Sequence, residues 1–328
     1  MTESKIKKIA VLTSGGDAPG MNAAIRAVVR TCVFNDVECV GVFKGYDGLI
    51  SGDYKKLHVR SVSKILGRGG TILKSARSKE FFTKEGRAQA AEKLREANID
   101  ALVTIGGNGT FTGAHILNQE HGIPVMGIPG TIDNDLYGTD NTIGYDTATN
   151  TVVEAVDKIR DTANSHNRLF FVEVMGRDSG FIALRAGIAT GAIAVLLPEE
   201  DLSIDDLIEI LDRGAQSKKT SSVVLVAEGD ANGGAYEVAR KVTEKYSEYE
   251  TRVTVLGHIQ RGGVPSCWDR VLASRMGVGA VEGLLQGRTS DMVGVVNDRD
   301  EYTSLDEAVS KKVEPNVEEL RMSKILSI

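Results

Sequence analysis

Ile9-Ala10-Val11-Leu12-Thr13-Ser14-Gly15-Gly16-Asp17-Ala18-Pro19-Gly20-Met21-Asn22 runs from a short apolar, β-branched segment through a glycine-rich turn into a stretch with helical spacing. Ile9 to Thr13 reads as a buried strand, and Met21 to Val33 carries apolar side chains near the 3.6-residue period of a helix. Glycines at such a turn let the main chain approach a phosphate closely. The helix start adds free N–H groups and the positive end of its dipole. A ligand-free β-α turn has the same composition, and the spacing matches neither the Walker nor the dinucleotide motif.

The same succession recurs along the chain. Glu38 to Phe43, Ala101 to Ile105, Pro124 to Ile128, Leu169 to Val174, Ala194 to Leu197, Ser221 to Ala227, Arg252 to Leu256 and Met292 to Val296 read as further buried strands. Between them, Gly86 to Ala97, Thr110 to Gln119, Thr147 to Ala163, Ile204 to Ala215, Ala235 to Tyr246 and Asp269 to Leu285 have helical spacing. This alternation implies an α/β fold of parallel sheets covered by helices on both faces. The 36 glycines gather after the β-branched runs, which marks strand-to-helix turns and not a flexible linker. With 328 residues the chain exceeds the usual single domain, so two lobes are expected. In such sheets ligands sit beyond the carboxyl ends of the strands.

Composition narrows the function classes. The 39 basic and 45 acidic residues give a formal charge of −6, which argues against nucleic acid or an anionic membrane as the main partner. No stretch approaches the ~18 apolar residues of a membrane span, and Ile9 to Thr13 is too short for a secretory core. Cys32, Cys39 and Cys267 are odd in number and lack metal-ligand spacing, so the expectation is a reducing cytoplasm without disulfides or zinc.

Two further turns carry chemistry. Gly106-Gly107-Asn108-Gly109-Thr110 follows the strand Ala101 to Ile105 and offers a second phosphate-sized concavity, which favours a polyphosphate ligand. After the next strand comes Gly127-Ile128-Pro129-Gly130-Thr131-Ile132-Asp133-Asn134-Asp135, with carboxylates where a buried loop would avoid them.

This succession resembles the phosphofructokinase family, in its bacterial ATP-dependent branch, over nearly the whole chain. The resemblance rests on Leu12 to Arg26, on Arg68-Gly69-Gly70-Thr71 with Ser75-Ala76-Arg77, and on Pro129 to Asp135. It continues through Val172-Glu173-Val174-Met175-Gly176-Arg177 and Leu256-Gly257-His258-Ile259-Gln260-Arg261-Gly262-Gly263. It implies two Rossmann-like lobes: 1–141 with 257–300 for the nucleotide, and 142–256 with 301–328 for fructose 6-phosphate. The implied activity is the glycolytic transfer of a phosphoryl group from ATP, with Mg2+, to the C1 hydroxyl of fructose 6-phosphate.

By that resemblance Asp133 is the general base, Thr131 holds the transferring group, and Gly16, Arg77 and Arg177 stabilise its charge. Gly16, Arg77, Ser78, Gly107, Asn108, Gly109, Thr110 and Gly113 would line the nucleotide, and Asn108 and Asp135 the metal. Arg168, Met175, Gly176, Arg177, Glu228, Arg252, His258 and Arg261 would bind the sugar phosphate together with Thr131 and Asp133. Residues matching Arg168 and Arg252 come from a neighbouring subunit in the family, so a homotetramer with composite sites is implied. Arg26, Arg30, Arg160 and Lys219 match an effector site for ADP and phosphoenolpyruvate.

The sequence also departs from the family. Asn108 stands where most members carry Asp, which removes a charge near the metal. Val59, Lys64, Ile193 and Ser217 replace an Arg, an Asp, a Glu and a Lys of the effector site. The alternatives are a noncatalytic or regulatory paralogue weakened at Asn108, and a pyrophosphate-dependent phosphofructokinase. Members of the latter carry Asp and Lys where Gly109 and Gly130 stand.

Overall fold

A computed structural model describes residues 6–164, 168–216 and 222–327. It divides into two compact units, the first made of Met1–Asp146 and Arg261–Val313, the second of Thr147–Gln260 and Glu314–Ile328.

The first unit holds seven strands: β1 (Lys8–Thr13), β2 (Glu38–Val42), β3 (Tyr54–Leu57), β4 (Ala101–Gly106) and β5 (Val125–Pro129), with β10 (Asp291–Val296) and β11 (Arg299–Ser304). They lie in the order β11-β10-β5-β4-β1-β2-β3. The five inner strands run parallel, and both edges are antiparallel. The helices here are α1 (Met21–Phe34), α2 (Gly45–Ser51), α3 (Lys84–Glu96), α4 (Asn108–His121), α9 (Cys267–Leu285) and α10 (Leu305–Ser310).

In the second unit β6 (Arg168–Val174), β7 (Ala194–Leu196), β8 (Ser222–Ala227) and β9 (Glu250–Val255) form an all-parallel sheet in the order β7-β8-β6-β9. Its helices are α5 (Tyr145–Asn164), which the boundary crosses, α6 (Phe181–Thr190), α7 (Ile204–Gln216), α8 (Ala235–Lys245) and α11 (Val317–Leu326). The α/β class with helix-flanked, largely parallel sheets is as the sequence indicates.

Three expectations need correction. Tyr54–Leu57 and Arg299–Ser304 are strands that polarity conceals: Lys55, Lys56, Arg299, Asp300 and Glu301 face solvent on sheet edges, where charge blocks further pairing. The helix Phe181–Thr190 is apolar nearly all round, so it shows no 3.6-residue stripe. The unit boundaries fall after Asp146, Gln260 and Val313 instead of after 141, 256 and 300. Thr142 and Gly144 are hydrogen-bonded to Thr131 and Asp269, and β11 pairs with β10, so both segments belong to the first unit.

Each unit has its own core. In the first, Leu12, Leu102, Phe111, Leu117 and Leu305 pack between the sheet and its helices. Full burial of a side chain such as Phe111 contributes about 1.5–3 kcal/mol. Gly127 in β5 makes room for it, since a Cβ there would lie 2.8 Å from both Phe111 and Leu305. In the second unit Leu169, Phe171, Val224 and Val226 meet Leu207, Leu211, Val238 and Val242. Among the described residues no helix is long and apolar enough to cross a membrane.

Candidate active site

Three turns meet at the carboxyl edge of the first sheet, because β1, β4 and β5 are neighbours in parallel register. Ser14 N donates to Ile105 O at 3.0 Å, and the Thr110 hydroxyl donates to Ser14 O at 3.1 Å, which ties the first glycine turn to the second. Gly106 is obligatory here: a Cβ would collide with Thr110 Oγ1 and with Ser14 O. Gly130 N donates to Gly106 O at 3.0 Å and joins the third turn to the second. Gly107 faces Thr131: a Cβ added there would lie 3.5 Å from the Thr131 Cβ.

The third turn carries the carboxylates. Thr131 and Asp133 are buried, whereas Asn134 and Asp135 are partly exposed. Asp133 N donates to Thr131 Oγ1 at 3.2 Å, and Asn134 sits at φ 54, a left-handed conformation that asparagine tolerates better than most residues. Its Oδ1 accepts from Thr142 N at 2.7 Å and its Nδ2 donates to Asp140 O at 3.3 Å. The wholly buried Thr142 hydroxyl donates to Thr131 O at 2.6 Å. The segment 139–143 therefore braces the loop. Neither Asn134 nor Thr142 was given a role by the sequence; the available signal was an asparagine between two aspartates, which suits a left-handed turn.

Asn22 on α1 fixes the loop that leads to Arg77. Its amide donates to Arg68 O and Gly69 O at 3.0 and 3.2 Å and accepts from Ile72 N at 2.8 Å. Arg77 itself is exposed. Ser78 is buried, and its hydroxyl accepts from Phe81 N at 3.3 Å. Phe81 stacks on Tyr46 with ring centroids 3.8 Å apart. Gly113 lies flush against that stack, 3.0 and 3.2 Å from the two rings for an added Cβ, so packing alone accounts for its lack of a side chain.

Arg261 reaches Gly16: a Cβ at Gly16 would be 2.6 Å from its guanidinium, which donates to Asp17 O at 3.3 Å. This cation, expected at the sugar phosphate, lies at the first glycine turn. Beyond these turns, a Cβ added at Gly109 would meet free space, whereas one added at Gly130 would lie 3.0 and 3.2 Å from Ile105 and Met21.

Asp135 Oδ2 accepts from Asn108 Nδ2 at 2.6 Å. The oxygen donors of Asp135, Asp133 and Asn108 suit a hard cation, which binds through one or two carboxylates and fills its shell with substrate phosphate oxygens and water. Among the described residues there is no cluster of three or more His, Cys, Asp or Glu, so a cation here would depend on those additional oxygens.

In the second unit Met175, Gly176 and Arg177 form the turn after β6. Met175 N donates to the Oε1 of the fully buried Gln260 at 2.9 Å. Glu228 Oε1 accepts from Gly176 N and Arg177 N at 3.3 and 2.7 Å. Arg177 has φ 56, and Gly176 has φ 154 with Ser179 O where a Cβ would stand. Non-glycine residues in left-handed backbone concentrate at functional turns. His258 is exposed on the short helical turn after β9.

Arg168 and Arg252 lie elsewhere. Arg168 opens β6 and pairs in register with Glu250 of β9. Glu250 binds Arg168 Nε at 2.8 Å and also pairs with Arg252. The hydrogen bond from Arg168 and the nearby positive charge hold the Glu250 carboxyl below the usual glutamate range. Arg168 and Met175 are seven positions apart along the strand, about 23 Å at ~3.3 Å per residue. Within one chain these arginines do not reach the Met175–Arg177 turn.

Among the expected effector residues, Arg26 and Arg30 sit one turn apart on α1, and burial with the like charge of Arg30 lowers the Arg26 pKa. Arg160 Nη2 donates to Gly191 O at 3.3 Å on the second unit. Lys219 and Ser217 lie outside the described residues. Ile193 is buried in the second core with its Cδ1 against Gly214.

A phosphofructokinase family model matches residues 8–284. The chain belongs to the phosphofructokinase family. It is 54% identical over 323 residues to ATP-dependent 6-phosphofructokinase 1 of Thermus thermophilus, covering 98% of this chain and 100% of that protein. It is 53% identical over 304 residues to ATP-dependent 6-phosphofructokinase 2 of Bacteroides thetaiotaomicron, covering 93% of each. Among solved structures, phosphofructokinase from Saccharomyces cerevisiae aligns with TM-score 0.88 and 40% identity over 92% of this chain and 45% of that one. A pyrophosphate-dependent phosphofructokinase from Marinobacter aquaeolei aligns with TM-score 0.82 over 95% of this chain and 86% of that one; at 22% identity it shares the fold.

Proposed function

We propose that the chain transfers the γ-phosphoryl group of ATP to the C1 hydroxyl of fructose 6-phosphate, giving fructose 1,6-bisphosphate and ADP. The observation that carries this reading is the buried Asp133, held by Thr131, Asn134 and Thr142 beside two phosphate-sized glycine turns. The names and the extent of the bacterial relatives support it.

In this reading Asp133 takes the C1 hydroxyl proton as that oxygen bonds to the γ-phosphorus. The bond from the γ-phosphorus to the bridging oxygen breaks, and ADP leaves with the electron pair. A positioned base contributes a factor of ~10²–10⁴. Gly16 N–H, Arg77 and Arg177 are assigned to the charge on the transferring group, where fixed positive groups act most strongly. Asp135 and Asn108 would hold Mg2+, which neutralises phosphate charge when bound. Gly107, Gly109 and Thr110 are assigned to the nucleotide phosphates, with Ser78 and Gly113 at its edge. Met175, Gly176, Glu228, His258 and Arg261 are assigned to the sugar phosphate.

Arg168 and Arg252 are assigned to the 6-phosphate of a neighbouring copy. Their distance from the Met175–Arg177 turn supports a homotetramer with shared sites. The free thiols of Cys32, Cys39 and Cys267 suit a reducing cytoplasm.

The open space at Gly109 favours a nucleotide donor over pyrophosphate. The test is turnover of purified protein with Mg2+, fructose 6-phosphate and either ATP or pyrophosphate. Turnover with ATP alone is expected. Equal kcat/KM with both donors would refute the donor assignment, and no turnover with either would leave the noncatalytic paralogue as the better reading.

A further inference from the structure

Strand β6 lies between β8 and β9, and both pairings stop at its carboxyl end. On one side Glu228 N donates to Val174 O at 3.0 Å, and on the other Leu256 N donates to Glu173 O at 3.1 Å. If the parallel ladders ran on, Gly176 N and Met175 N would donate next, to the main-chain carbonyls of Glu228 and Leu256. Side chains take those places instead. Gly257 turns the chain away at φ 53. Glu228 Oε1 accepts from Gly176 N and Arg177 N at 3.3 and 2.7 Å, and Gln260 Oε1 accepts from Met175 N at 2.9 Å. We infer that Gln260 is a positioning residue for the turn Met175–Arg177, its carboxamide oxygen standing in for the strand carbonyl that the bend at Gly257 takes away.

The consequence for substrate rests on the proposed assignment of that turn to the sugar phosphate. Met175 is the first residue past β6, so the partner of its N–H sets where the turn leaves the sheet. Gln260 is the buried residue of the short helical turn Gly257–Arg261, and His258 and Ile259 beside it are exposed. The orientation of its amide is fixed, because a main-chain N–H can only donate and must face the oxygen. The Nε2 group is then left without a hydrogen-bond partner among the described residues, although the side chain is fully buried. An unpaired buried donor destabilises a fold, so packing alone would favour an apolar side chain at this position. What an apolar side chain lacks is the oxygen that Met175 N uses. Glu228 and Gln260 thus extend the sheet by one step on its two sides, and the sugar turn hangs from both.

The test is amide hydrogen exchange and steady-state kinetics on the full chain as the natural protein, Gln260→Met and Gln260→Glu. Methionine keeps the length and the unbranched shape of glutamine and removes the carboxamide, whereas glutamate, ionised or protonated, keeps the acceptor. Without ligand, the amides of Met175 to Arg177 should exchange about tenfold faster in Gln260→Met, the effect of one lost hydrogen bond, while Leu169 to Val172 stay as protected as in the natural protein. Gln260→Glu should keep the slow exchange of the turn. In turnover, Gln260→Met should raise KM for fructose 6-phosphate about tenfold and change KM for ATP less than about twofold. Unchanged exchange at the turn in Gln260→Met, acceleration spread evenly over β6 and β9, loss of the fold, or equal loosening in Gln260→Glu overturns the inference. Exchange needs no ligand, so a turn that loosens locally while KM for fructose 6-phosphate stays unchanged supports the positioning role of Gln260 and removes the turn from the proposed sugar site.

Discussion

Replacing Thr142 with valine tests how the candidate base is held. Valine keeps the shape of threonine and exchanges the hydroxyl for a methyl group, so the site is neither emptied nor overfilled. What disappears is the 2.6 Å bond to Thr131 O, in a place where Thr142 is fully buried and water cannot substitute easily. A buried acceptor that loses its donor costs about 1–3 kcal/mol. A unit of this size loses roughly 2–4 °C in Tm per kcal/mol, so the thermal midpoint should fall by about 2–12 °C. The same bond anchors Thr131, whose hydroxyl accepts from Asp133 N at 3.2 Å. A shift of about 1 Å in a reacting group can cost ~10²-fold, so kcat should fall roughly 10- to 100-fold while KM for fructose 6-phosphate changes less than ~3-fold. Thr142→Ser retains the donor and should restore both quantities most of the way. Steady-state kinetics and scanning calorimetry on the three proteins decide the matter. If valine leaves kcat and Tm unchanged, or serine is as damaging as valine, the brace does not position the base.

Asp133→Ser should lower kcat by ~10²–10⁴ and leave KM much less changed, measured by coupled assay; a retained kcat removes Asp133 as base. Millimolar ADP or phosphoenolpyruvate should shift half-saturation by fructose 6-phosphate less than about twofold, because an effector acts only through differential binding to two states, and Ile193 is committed to the core. A several-fold shift with either compound would show a working effector site. Glu120→Gln should lower the urea midpoint at pH 7, since the fork from Arg87 at 2.6 and 2.8 Å holds the Glu120 carboxyl below the usual glutamate range. A depressed carboxyl stabilises above its unfolded pKa and loses that contribution as pH falls through its folded value. The difference between the two proteins should therefore shrink toward zero below about pH 4, and a difference as large there as at pH 7 would show that the charged pair is not its source.

What the sequence reveals here is local. The signal for β1, β4 and β5 is a run of apolar residues closed by glycine, and the helix that follows shows its period within a dozen residues. Both are properties of neighbouring residues, so strand-turn-helix units and their phosphate-sized turns are legible directly. Bonds between distant segments are not. Thr142 acts on Thr131 eleven residues away, and nothing in Asp140-Asn141-Thr142 marks a brace. Ile193 reads as the loss of an effector glutamate by comparison with the family, yet only packing against Gly214 shows that it has become part of a core. Edge strands fail for a related reason, because the polar residues that protect an edge erase the apolar alternation that would announce it.

Arg168 and Arg252 show a further limit of linear motifs. The family resemblance sets them among the sugar-phosphate residues, only a few positions from Met175 and His258, and implies that they serve a neighbouring subunit. Sequence spacing alone does not show this separation, since on a strand each residue adds about 3.3 Å along one direction. The parallel register of β6 and β9 puts Arg168, Glu250 and Arg252 near the amino edge of the sheet, and puts Met175, Glu228 and His258 beyond its carboxyl edge. Glu250 then makes sense as the counter-ion that lets two guanidinium groups share a small exposed patch. A phosphate dianion arriving there would meet both cations already oriented, and the other half of its sugar would have to be held by a turn that no single sheet can supply at that edge.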